Sequence, residues 1–134
     1  MTMRTALFLV LVGLIFLGTM TAYAHHSVTA TYDPNKEVKL QGKLVLFQFR
    51  NPHAFVQLDV PDAAGKMQRW TIEWGGAQAL TSQGVKRDTF KVGDELVITG
   101  NPSRTKGEPR AKMNTLKRLS DGFGWGTRPG EVVD

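Results

Sequence analysis

The most constraining stretch of the sequence is a pair of alternating runs joined by a turn. In the first run Ala54, Val56, Leu58 and Val60 share one face, while Phe55, Gln57 and Asp59 take the other. In the second, Gln68, Trp70, Ile72 and Trp74 alternate with Met67, Arg69, Thr71 and Glu73. A period of two marks strands buried on one side. Pro61-Asp62-Ala63-Ala64-Gly65-Lys66 between them is turn chemistry. The pair predicts a β-hairpin with its tryptophans in the core.

Further strands lie on either side. Glu37 to Arg50 begins as an alternation of Val38 and Leu40 with Glu37, Lys39 and Gln41, then becomes continuously apolar at Leu44-Val45-Leu46-Phe47. Gly42 stands where the pattern changes, which predicts one long strand bent or bulged there, its second half packed on both sides. Gly75-Gly76 ends the hairpin, and Ala77 to Gln83 reads as a short helix stopped by Gly84. Strands follow at Glu95 to Thr99 and Ala111 to Leu119, separated by a basic loop. Three strands, a helix and two strands is the order of an OB-fold. The expected fold class is all-β with one short helix: an OB-fold-like five-stranded Greek-key barrel over residues 37–119. Residues 25–36 read as an extended lead-in with a turn at Asp33-Pro34-Asn35, and 120–134 as a loose Gly-rich tail.

Residues 1–24 read as an export signal peptide. Arg4 supplies the positive end, Ala6 to Leu17 is apolar, and Ala22-Tyr23-Ala24 fits the small-x-small cleavage rule. As a helix the apolar run spans only ~18 Å, short of the ~30 Å hydrocarbon core, so no transmembrane span is expected in the mature chain. Cleavage would leave His25 first, in a periplasmic or secreted protein. The chain has no Cys, which excludes disulfides and thiol chemistry. With 41% hydrophobic and 22% charged residues it is too ordinary for a disordered chain.

Four stretches stand together: His25-His26-Ser27, Asn51-Pro52-His53, Gly84 to Asp94 with Arg87-Asp88 and Gly93-Asp94, and Val97-Ile98-Thr99-Gly100. In them the sequence resembles a family of small exported bacterial proteins known only as domain of unknown function 6152. The resemblance reaches to about Leu119, and Phe49 and Val85 depart from it where relatives carry Trp. It implies export and an OB-like fold, and it carries no activity with it.

Chemistry-bearing residues are few. A processed His25 would offer an α-amine and an imidazole; with His26 and His53 it makes a nitrogen donor set suited to Cu(II). Met67 and Met113 are possible soft ligands, although Met also fills cores. Arg104, Lys106, Arg110 and Lys112 form a basic stretch at an expected loop edge of the barrel, and with Phe55 they define a candidate ligand surface. Asp59 and Glu73 could face each other across the hairpin, which alone makes no glycosidase. Serines lack an elbow or a base, so no catalytic set emerges. The leading expectation is an exported, non-catalytic OB-like binding module. The alternative is a periplasmic copper-handling protein using the processed N-terminal histidines. A third is an electrostatic binder of anionic envelope polymers, in keeping with a net charge of +5, or +4 once Arg4 leaves with the leader. Export argues against a nucleic-acid client.

Overall fold

The computed structural model describes residues 28–126, together with Met3 and Thr5. The signal segment otherwise, His25, His26, Ser27 and residues 127–134 lie outside the described residues. The chain divides into two units at Thr31 and Tyr32. In the first, residues 28–31 are helical, which corrects the extended reading of that part of the lead-in.

The second unit is a closed β-barrel. Its elements are β1 (Val38–Gln48), β2 (Phe55–Pro61), β3 (Met67–Glu73), α1 (Ala77–Ser82), β4 (Glu95–Pro102), β5 (Arg110–Arg118) and β6 (Gly124–Trp125). The strand order is β3-β2-β1-β4-β5-β6, and a parallel pairing of β3 with β5 closes the ring. Closure leaves the five main strands without a long open edge, which an all-β domain of this size would otherwise expose. The helix between β3 and β4 completes the OB-type order expected from the sequence.

Alternation places the core. Val56 and Leu58 of β2, Ile72 of β3, Leu96 and Ile98 of β4 and Leu116 of β5 are essentially inaccessible. Each such side chain contributes about 1.5–3 kcal/mol relative to exposure. Trp74 is buried with them, and Trp70 packs against the same cluster, as the hairpin pattern predicts.

β1 departs from the expected geometry in one respect. Its bulge falls between Leu44 and Leu46, and Leu46 is 38% exposed, so the second half does not pack on both sides. Gly42 serves a different purpose. A Cβ there would sit 2.2 Å from the Asp59 carbonyl oxygen, so glycine lets β2 close against β1.

The C-terminal tail also needs correcting. Through β6 it pairs with Leu116 and Lys117 of β5. Trp125 lies edge-on to Trp74 at 5.0 Å, and Phe123 lies edge-on to Phe90 at 5.5 Å. The glycine content suggested looseness, but the two aromatics anchor the segment to the barrel as far as Gly126.

Candidate ligand-binding face

The β1–β2 connection carries Asn51-Pro52-His53. Helix α1 follows Gly76 and lacks a side-chain cap of its own. Asn51 supplies one from a distance: its Oδ1 accepts from the Gln78 amide at 3.2 Å. The Ala77 amide donates to the Arg50 carbonyl at 3.1 Å. Gly76 permits this approach, since a Cβ there would lie 2.5 Å from the Pro52 carbonyl oxygen. The loop is thereby fixed to the helix N-terminus, whose first amides need outside acceptors. The Asn51–Pro52 peptide is cis. Ala54 is buried, and His53, one residue before it, is exposed on the outer side as strand parity predicts.

Outside the barrel His53 meets Glu73. Its Nδ1 hydrogen-bonds Glu73 Oε1, while the Tyr32 hydroxyl donates to Glu73 Oε2 at 2.5 Å. Arg110 donates through Nε to the Tyr32 oxygen at 2.9 Å and through Nη2 to Glu73 Oε2 at 3.4 Å. Burial alone would raise the Glu73 carboxyl, but the hydrogen bonds from Tyr32 and His53 and the neighbouring positive charges hold it below its ordinary value. Burial, reinforced by the Glu73 carboxylate, pushes the Tyr32 phenol upward. The tyrosine thus stays a neutral donor to an ionised carboxylate. Four residues from the lead-in, the β1–β2 loop, β3 and β5 are locked into one cluster.

Strand register sets what surrounds this cluster. Phe55 pairs with Glu73, and Glu73 with Lys112, forming one outward row across β2, β3 and β5. Gln57, Thr71 and Arg110 form the next. The Arg50 guanidinium lies over the Phe55 ring, 5.2 Å from its centroid. At this end the face receives both the 49–54 loop and the 103–109 loop. The latter is held to the lead-in by a bridge between Tyr32 and Ser103 and by the Asp33 amide bonded to Pro102. Arg104 reaches Asp33 at 3.9 Å, and Lys106 is exposed on the loop. An OB-fold binds ligands on the face of strands 2 and 3 between these two loops.

The candidate residues named from the sequence therefore separate. His53, Phe55, Arg110 and Lys112 converge on this face, and Arg104 and Lys106 border it. His25 and His26 lie outside the described residues, among which no group of three His, Cys, Asp or Glu could hold a metal ion. Met67 sits at the opposite end of β3 from Glu73, and Met113 is buried in the core. The pairing imagined for Asp59 and Glu73 does not occur. Asp59 is opposite Arg69, which grips it through two hydrogen bonds of 2.9 and 3.0 Å, and Glu73 is opposite Phe55. Elsewhere an open groove of about 630 Å³ runs beside β1 and β2, lined by Lys39, Lys43, Asp59, Pro61, Met67 and Glu95.

Three participants escaped the sequence reading: Tyr32, Arg50 and the role of Glu73. Tyr32 is 41 residues from Glu73, and barrel closure alone brings them together. A tyrosine just before the Asp33-Pro34 turn was the available signal.

Barrel order, closure and a flanked outer face define a protein of the OB-fold class. Within it, the chain belongs to the family of unknown function DUF6152, which matches residues 14–111. No curated protein matches it. Among solved structures it is similar to the mitochondrial single-stranded DNA binding protein of S. cerevisiae, with TM-score 0.48 and 9% identity, covering 63% of this chain and 93% of that one.

Proposed function

We propose that the protein is an exported, non-catalytic binding module whose ligand docks on the outer face of β2, β3 and β5, between the 49–54 and 103–109 loops. The observation that carries this reading is the Glu73 cluster. It fixes Tyr32, His53 and Arg110 from separate parts of the chain beneath the position where OB-folds take ligands. Such pre-ordering lowers the entropic cost of binding. The apolar leader and its small-residue end support export. Mass spectrometry of the exported chain should find His25 first; a retained leader would remove that part of the reading.

An immobilised panel of charged and neutral oligosaccharides, oligonucleotides and simple anions tests the module. Binding should fall in Phe55→Ala and persist in Met67→Ala, which alters the groove beside β1 and β2. The reverse pattern, or multiple turnover of any bound compound, would overturn it.

One observation favours a second reading, copper handling. His53 commits Nδ1 to a carboxylate and leaves Nε2 without a partner among the described residues. Histidines that ligate metals are commonly oriented in this way. Processed His25 and His26 would complete the donor set. Calorimetric Cu(II) affinity should collapse when a Met precedes His25 and drop on His53→Ala. If neither change has an effect, copper handling is excluded.

A further inference from the structure

Resting on that binding face, we propose that its ligand is an acidic polysaccharide bearing uronate carboxylates, held by Arg50 and Lys112. The first support is the balance of charge on the face. Asp59 is taken by Arg69, and Glu73 by Tyr32, His53 and Arg110. Arg50 and Lys112 have no carboxylate partner among the described residues, although both are exposed. Glu108, on the 103–109 loop, accepts from the Ser103 hydroxyl, and the charge left open to a ligand on the strands themselves is positive.

The second support is the mounting of Arg50. Its guanidinium lies over the Phe55 ring, a cation–π contact, while its N–H donors have no partner among the described residues. A planar fork of this kind matches a carboxylate through two parallel hydrogen bonds. Lys112 stands in the same row as Phe55, two strand spacings away, roughly 10 Å. A chain with a carboxylate on each sugar can reach both cations. Glu73 stands between Phe55 and Lys112 in that row, its carboxylate already bonded to Tyr32, His53 and Arg110, and in the neighbouring row Gln57 and Thr71 offer neutral hydrogen-bonding groups suited to hydroxyls.

The same geometry disfavours single-stranded nucleic acid, whose binding needs rings on which successive bases can stack. Phe55 is the one aromatic in these rows, and Arg50 covers it; Tyr32 is buried with Arg110 over its ring.

Calorimetry on the full chain at low salt tests the proposal with an oligogalacturonate, a neutral oligoglucoside and an oligo(dT). The oligogalacturonate should bind and weaken about tenfold in Arg50→Ala and in Lys112→Ala, with unchanged thermal melts. Its affinity should be unaltered in Lys91→Ala, which removes an exposed lysine in the turn before β4, outside the rows of this face, and should decline with added salt. Equal loss in Lys91→Ala, or tighter binding of oligo(dT), would overturn the proposal. Binding of the neutral oligoglucoside alone, lost in Phe55→Ala, would remove the acidic class and leave the face. If none of the three probes binds, the acidic-polysaccharide proposal is overturned; the face itself fails only if a ligand found in the wider panel is insensitive to Phe55→Ala.

Discussion

Replacing Tyr32 with Phe isolates a single hydroxyl in the Glu73 cluster. The ring is 3% exposed and lies under Arg110, and phenylalanine keeps both its volume and that stacking. What disappears is a 2.5 Å hydrogen bond to a carboxylate and a 2.9 Å bond from a guanidinium. Hydrogen bonds to charged groups contribute about 1.5–3 kcal/mol, so a loss of about 2 kcal/mol is expected near neutral pH. For a unit of this size that lowers Tm by roughly 8 °C. The deficit should also depend on pH. Glu73 is held below its ordinary value of 4.5, so its ion-linked stabilisation is present above 4.5 and is lost as pH falls through the folded value. Tyr32→Phe removes one of the bonds that hold it down. The gap between wild type and variant should therefore be widest at pH 7 and should narrow below pH 4.5. Thermal melts followed by circular dichroism between pH 3 and 7 measure this. A deficit under about 0.5 kcal/mol at pH 7, or one constant with pH, would refute the clamp and the argument drawn from it.

Three further outcomes follow from the same geometry. Gly42→Ala should cost about 3 kcal/mol or more in chemical denaturation, because its Cβ would meet backbone 2.2 Å away where two strands close. Asn51→Ala removes the distant cap of α1 and should cost about 1 kcal/mol, with faster amide exchange at Gln78. A chain ending at Leu119 should be less stable than one ending at Gly126 by about 3 kcal/mol, with increased quenching of Trp74 fluorescence, since Phe123 and Trp125 cover Phe90 and Trp74.

Strand content was readable because period-two alternation is a local property. Ala54 to Val60 and Met67 to Trp74 show it without interruption, and their buried faces are those the pattern predicts. The helix at Ala77 was also readable, since glycines bracket it. The Glu73 cluster was not, because register and closure create it. The partners of Glu73 follow from Phe55 lying opposite it and from β5 joining β3 in parallel, and neither pairing leaves a mark in nearby residues. Asp59 and Glu73 looked equivalent by parity, yet register gave one Arg69 and the other Tyr32, His53 and Arg110. The C-terminal segment was misjudged for the opposite reason. Composition emphasised Gly122, Gly124 and Gly126, whereas the anchoring is done by Phe123 and Trp125 between them.

The outer face of β2, β3 and β5 is tested most directly by amide and side-chain chemical-shift mapping of the labelled full chain during titration with oligogalacturonate. The account predicts saturable shifts centred on His53, Phe55, Glu73 and Lys112, with the Arg50 Nε–H among the largest. Shifts confined to Lys39, Lys43 and Met67 beside the groove would contradict it.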